Sequence, residues 1–150
     1  MSAGLKILSK KIVEQSNVLY DGKIGVMVLS QLINESMKEV KENNLKVHIE
    51  TSGAYPVTGT WDWFCLSPKK NKLPVESAYE IANELKVIIY NKHDFIFAEE
   101  QAEKTNKNAI LFLQPEWSKK EEMSPLIVDY VMNNPKWRVS LQTHKYLNIP

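Results

Sequence analysis

The sequence predicts an α/β fold built on a mostly parallel sheet, and three features predict it. From Leu45 onward, short runs rich in Val, Ile, Phe and Trp alternate with helical patterns. Such alternation builds a parallel sheet, because right-handed crossovers cover the strands with helices. Each apolar run also turns polar in its last residues, so side chains of mixed chemistry gather where strands end and loops converge. Finally, 150 residues with 43% apolar content suffice for one soluble domain with a real core.

The elements follow in order. Ile7, Leu8, Ile12, Val13 and Leu19 give a loose helical spacing, closed by the turn signal Asp21-Gly22. Ile24 to Leu29 is a short apolar strand, and Leu32 to Asn43 a helix with Leu32, Ile33, Met37 and Val40 on one side. The pattern before residue 45 is irregular, and its strand lacks a polar ending. Leu45 to Ile49 alternates with Lys46 and His48 and finishes in Glu50-Thr51-Ser52-Gly53. Trp61 to Leu66 is a second strand, finishing in Ser67-Pro68-Lys69-Lys70. Val75 to Glu84 reads as a helix begun after Pro74. Leu85 to Tyr90 is a Val/Ile-rich strand ending in Asn91-Lys92-His93-Asp94, and Phe95 to Lys104 is helical. Ala109 to Leu113 is a strand leading into Gln114-Pro115-Glu116-Trp117. Ser124 to Asn133 is a helix with Pro125 in its first turn. The chain closes on a strand from Trp137 that gives way to Gln142-Thr143-His144-Lys145 and ends at Pro150. In one sheet, Glu50 to Ser52, Ser67 to Lys69, Asn91-Lys92, Gln114 to Glu116 and Gln142 to His144 would lie along a single rim.

Composition narrows the function. The formal charge is +1 and Arg138 is the only arginine, which disfavours direct contact with nucleic acid. One cysteine, Cys65, leaves no intrachain disulfide. No apolar run is long enough for a membrane span, and the amino terminus lacks a secretory signal pattern, so the expectation is a cytoplasmic protein.

Among candidate site residues, Ser67-Pro68-Lys69 offers a hydroxyl and an ammonium separated by a stiff residue, suited to a carboxylate or phosphate. The same residues also read as an exposed loop with solvated lysines, since Lys70 and Lys72 follow. Gln114 supplies an amide able to read a heterocycle edge. His144, crowded by Gln142, Thr143 and Lys145, suits a substrate hydrogen bond better than a metal. His48 and His93 read as structural or solvated. Cys65, between Phe64 and Leu66, reads as a small hydrophobe rather than a nucleophile. No Gly-rich phosphate loop, zinc-type spacing or catalytic triad is visible.

Four strings are more specific than any of these. Glu50-Thr51-Ser52-Gly53, Asp62-Trp63-Phe64-Cys65-Leu66-Ser67-Pro68-Lys69, Gln114-Pro115-Glu116 and Ser140 through Pro150 together resemble the 7-carboxy-7-deazaguanine synthases, radical S-adenosylmethionine (SAM) enzymes of queuosine and deazapurine biosynthesis. The resemblance covers Leu45 to Pro150. It implies a partial (β/α) barrel, radical-SAM-like and incomplete on its amino-terminal side, formed by residues 1–150 as one domain with residues 1–44 atypical. The implied reaction is ring contraction of 6-carboxy-5,6,7,8-tetrahydropterin to 7-carboxy-7-deazaguanine with loss of ammonia. A 4Fe–4S cluster reduces SAM, the resulting 5′-deoxyadenosyl radical abstracts hydrogen, and magnesium assists.

Carried residue by residue, the resemblance assigns Ser67, Pro68 and Lys69 to the SAM carboxylate and ribose. It assigns Gln114, Pro115, Glu116 and Trp117 to the adenosine portion, with Glu50 and Ser52 as further contacts. His144 and the terminal carboxylate of Pro150 are assigned to the pterin, so that even one added residue should damage substrate binding. The departures are equally definite. A radical SAM cluster needs three cysteines in a C-x3-C-x2-C type loop, and this chain has one, elsewhere. A Gly-Gly-Glu-Pro segment is absent after Ile24 to Leu29, where Ser30-Gln31-Leu32-Ile33 stands. The expectation is therefore a truncated or degenerate copy, inactive by itself. The alternative is a noncatalytic ligand-binding or partner domain on the same half-barrel. A homodimer, or self-association through uncovered apolar surface, is expected in either case.

Overall fold

The structure, a computed structural model, describes residues Leu45 to Asn148. The helix, strand and helix expected before residue 45, and the terminal Pro150, lie outside the described residues. Two compact units divide what is described. One holds residues 45–47 and Thr58–Asp62, the other His48–Val57 and residues 63–148. In the smaller, Asp62 closes a local clasp. Its amide donates to the Val47 carbonyl at 2.9 Å and its carboxylate accepts from the Val47 amide at 2.8 Å.

The larger unit is a five-stranded sheet, β1 (His48–Thr51), β2 (Trp63–Leu66), β3 (Glu84–Ile89), β4 (Ile110–Pro115) and β5 (Trp137–Val139). All four ladders are parallel and the spatial order is β1-β2-β3-β4-β5. A sheet whose order follows the chain without reversal is a barrel segment, since a doubly wound sheet reverses at its centre. Helices α1 (Glu76–Ile81), α2 (Asp94–Lys104) and α3 (Lys120–Asn133) connect β2 to β3, β3 to β4 and β4 to β5. A short helix α4 (Thr143–Tyr146) follows β5.

Sequential right-handed crossovers put the three long connections on one face. That face carries the core. Leu66, Leu85, Val87, Ile89 and Leu113 from the strands meet Ala78, Ala98, Met123 and Ile127 from the helices, all at most 1% exposed. By strand alternation the opposite face carries His48, Glu50, Trp63, Cys65, Glu84, Lys86, Phe112, Gln114 and Arg138. The helix-covered face is thus the apolar one, and the other mixes polar groups with Trp63, Ile88, Ile110 and Phe112.

Boundaries moved for identifiable reasons. The helix expected from Val75 to Glu84 stops at Ile81, because Asn83 is needed as a splice. Its side chain accepts from the Phe64 amide at 2.9 Å, its amide donates to the Phe64 carbonyl and its carbonyl accepts from the Ile110 amide. Helix α3 begins at Lys120 rather than Ser124, so Pro125 sits inside it instead of in its first turn. The last strand ends at Val139, and the polar stretch after it coils into α4. Gly53 ties the end of β1 to α1. It has φ +67° and accepts from the Val75 amide at 2.8 Å, and a Cβ there would stand 2.5 Å from Leu66 Cδ1.

Candidate functional site

Because all five strands run the same way, their carboxyl ends share one edge of the sheet, as expected from the polar endings. Contacts knit that edge together from loop to loop. The Ser67 amide donates to the Thr51 carbonyl at 2.8 Å, joining β1 to the loop after β2. Lys70 ion-pairs with Asp94, joining that loop to the start of α2. Lys119 lies over the Tyr90 ring at 5.6 Å, joining the ends of β3 and β4. Ser140 Oγ donates to Gln114 Oε1 at 3.1 Å, and Trp117 packs edge-on to Tyr146 at 5.0 Å, joining β4 to β5 and α4.

Within this rim, Lys69 Nζ donates to Ser67 Oγ at 3.1 Å, so hydroxyl and ammonium stand side by side. Ser67 and Pro68 are buried while Lys69 is exposed, so the pair joins a fixed base to a solvent-reaching side chain. Gln114 is buried with its carbonyl oxygen occupied by Ser140, leaving amide N–H donors for a ligand. Pro115 is buried at the end of β4. Glu116 turns back to cap the following 3-10 turn, accepting from the Ser118 amide at 2.8 Å and from the Ser118 hydroxyl. The Ser118 hydroxyl bond, with the Ser118 and Trp117 amides, holds its carboxyl below the usual range. Trp117 is half-buried, with Lys120 4.7 Å and Lys145 5.3 Å from its ring. Gln142 Oε1 is buried without a hydrogen-bond partner among the described residues, an acceptor open to a donor.

The remaining assignments sit differently. Ser52 is half-buried just beyond β1. Glu50 is engaged on the helix-free face, where its carboxylate accepts from Lys86 Nζ at 2.6 Å. His144 is exposed on α4.

The sequence reading missed the polar cluster below the rim. Glu84 accepts from Trp63 Nε1 at 3.0 Å and from Cys65 Sγ at 3.3 Å, and His48 stacks on Trp63 at 6.2 Å. The signal was present in Glu84-Leu85-Lys86-Val87, where charge alternates with apolar residues at the strand period. Burial, followed by the neighbouring Glu84 carboxylate, raises the Cys65 thiol to about 12. It is a protonated core group and no metal ligand.

The donor set bears directly on the implied cofactors. The sequence has a single cysteine, and no group of three His, Cys, Asp or Glu that could hold a metal occurs among the described residues. A single cysteine does not fit a 4Fe–4S cluster, and the described residues offer no three-ligand side-chain site for magnesium. They do fit SAM: a Ser/Lys pair for a carboxylate, amide donors at Gln114 and an orphaned acceptor at Gln142. No helix among the described residues is long and apolar enough to cross a membrane.

No family profile matches the chain. Individual proteins do, over part of their length. It is 87% identical over 113 residues to the 7-carboxy-7-deazaguanine synthase of Flavobacterium psychrophilum, covering 75% of this chain and 54% of that protein. It is 50% identical over 112 residues to the synthase of Synechocystis sp., covering 75% of this chain and 53% of that one. The crystal structure of QueE from Escherichia coli superposes with a TM-score of 0.63 at 28% identity, over 70% of this chain and 48% of that chain. The chain thus spans about half the length of the curated relatives it matches.

Proposed function

This chain belongs to the 7-carboxy-7-deazaguanine synthase family, and from that premise we propose that it supplies the SAM-binding rim of the family's ring-contraction site in queuosine and deazapurine biosynthesis. The observation that carries the reading is the Ser67–Lys69 pair, set on the same sheet edge as Gln114. Lys69 would neutralise the SAM carboxylate while Ser67 fixes its orientation. Pro68 stiffens the turn, and Pro115 and Glu116 hold the backbone on which Trp117 walls the adenosine. Gln114 would read the adenine edge. Glu50 acts at one remove by holding Lys86, and Ser52 adds a hydroxyl from the first strand. His144 is assigned to the pterin.

SAM bound with a cluster supplies the radical chemistry in this family, and the cluster ligands do not come from this chain. Its residues bind, orient and shield a ligand. Turnover by these 150 residues alone is not expected. The test is titration calorimetry with SAM. Binding that falls at least tenfold in Lys69→Ala supports the reading, with one lost charge-assisted contact contributing about 1.5–3 kcal/mol. A wild-type chain that is folded but shows no heat with SAM would refute it. That result would favour the second reading, a noncatalytic partner domain on the same half-barrel, for which the single cysteine is the motivating observation. Stoichiometric iron and sulfide after anaerobic reconstitution would overturn the expectation of inactivity.

A further inference from the structure

We propose that Asp94 and Lys70 form a positioning clamp that sets the direction of Lys69 and thereby the affinity of the rim for the carboxylate end of its ligand. The proposal rests on the SAM reading of Ser67 and Lys69. Its starting point is a weakness in the sheet. The β2–β3 ladder has only two residue pairs, Cys65 with Glu84 and Leu66 with Leu85. Beyond Leu66, β3 continues to Ile89 while β2 has already become a loop. The segment that carries Ser67, Pro68 and Lys69 is therefore not fixed to β3 by the ladder.

Asp94 makes the missing tie. It is 4% exposed at the first position of α2. One carboxylate oxygen accepts from the Tyr90 amide at 2.6 Å and the Asn91 amide at 2.9 Å, which shapes the loop after β3. The other receives the Lys70 ammonium across 24 residues of sequence. Lys70 also stands 5.4 Å from the centre of the Phe97 ring, so α2 holds it from two sides. Burial pushes the Asp94 carboxyl up. The Lys70 ammonium and the two amides pull it further the other way, so it stays ionised and the clamp stays charged.

The consequence for Lys69 is geometric. Lys69 and Lys72 pair in an antiparallel bridge, and the Lys72 amide donates to the Lys69 carbonyl at 3.3 Å. Lys70 and Asn71 are thus the two corner residues of a tight turn whose base is Lys69 and Lys72. Anchoring Lys70 to α2 therefore fixes the turn, and with it the backbone position from which Lys69 reaches Ser67. Neither Asp94 nor Lys70 needs to touch the ligand. Displacing a binding group by about 1 Å can cost orders of magnitude where geometry is decisive.

The experiment uses the whole chain and two measurements. Hydrogen exchange of the peptide spanning Ser67 to Lys72, without ligand, reads the clamp. SAM titration reads its consequence. Lys70→Met keeps both amide bonds of Asp94 and removes only the tie. It should speed exchange in that peptide and weaken SAM about tenfold, while Lys70→Arg restores both. Asp94→Asn should match Lys70→Met in affinity, with added exchange at Tyr90 and Asn91. If Lys70→Met binds SAM like wild type, the clamp is a structural detail and the proposal is wrong. If wild type itself fails to bind SAM although Lys70→Met speeds exchange, the SAM reading has failed and the positioning role falls with it.

Discussion

At the scale of single residues, the polar face of the sheet shows how identity alone can mislead about role. Cys65 is accessible to no simple reading as a ligand once its environment is known. Its thiol donates to Glu84, whose other oxygen holds Trp63, and deprotonation would place a thiolate beside a carboxylate. We expect negligible reaction of the native chain with a thiol-specific disulfide reagent at pH 8, and one equivalent reacted after denaturation. Rapid labelling of folded protein would contradict the assignment. Gly53 makes a second residue-level prediction. Both its positive φ and the 2.5 Å approach to Leu66 Cδ1 forbid a side chain. Gly53→Ala should therefore destabilise by about 2–3 kcal/mol in denaturant titration, from left-handed backbone strain plus overpacking. The candidate rim residues were legible in the sequence to the extent that they follow strands directly, as Ser67, Lys69 and Gln114 do. Asp94 and Glu50 were not legible in their actual roles. Their partners Lys70 and Lys86 lie 24 and 36 residues away, and no local pattern announces an ion pair across such a gap.

At the scale of elements, α2, α3 and β5 are fastened at one point. Glu99 on α2 accepts from Tyr130 Oη of α3 at 2.7 Å, from Trp137 Nε1 of β5 at 2.8 Å, and from Lys136. Burial raises its carboxyl, but Lys136, Tyr130 and Trp137 more than offset this and leave it below the ordinary value. A carboxyl lowered in the folded state stabilises above its unfolded value and loses that contribution as pH falls through the folded one. Glu99→Gln should thus cost about 1–3 kcal/mol at neutral pH, with the gap to wild type narrowing through the acid limb of a stability–pH profile. A gap that stays constant to the lowest pH would show the charge to be irrelevant. The number and order of strands and helices from β1 to β5 were readable, because alternation and polar endings are local signals. The ends were less so. Asn83 leaves the helix because Phe64 and Ile110 claim its hydrogen bonds, and α3 admits Pro125 in mid-course because its buried Met123 and Ile127 pack on the sheet. Tertiary partners decided both.

At the scale of the larger unit, the main apolar core lies between the sheet and its helices. Helices cover one face of five parallel strands, and apolar side chains remain on the outer surface of those helices, with Ile96 62%, Val128 46% and Met132 79% exposed. Val128 and Met132 are one helical turn apart on α3, so they form a strip rather than isolated residues. Two neighbouring apolar side chains make only a small patch, but if the chain self-associates as its sequence leads one to expect, this strip is where a second copy would seat. Formal charge adds little resistance, since at +1 two copies repel weakly. Sedimentation velocity from about 1 to 100 μM should then show a concentration-dependent rise in mass. Met132→Lys combined with Val128→Glu should return the chain to monomer without lowering its stability, because both side chains already meet water. A chain that sediments as a monomer across that range, with the strip intact, would leave those side chains as ordinary surface and remove the physical reason for expecting a dimer.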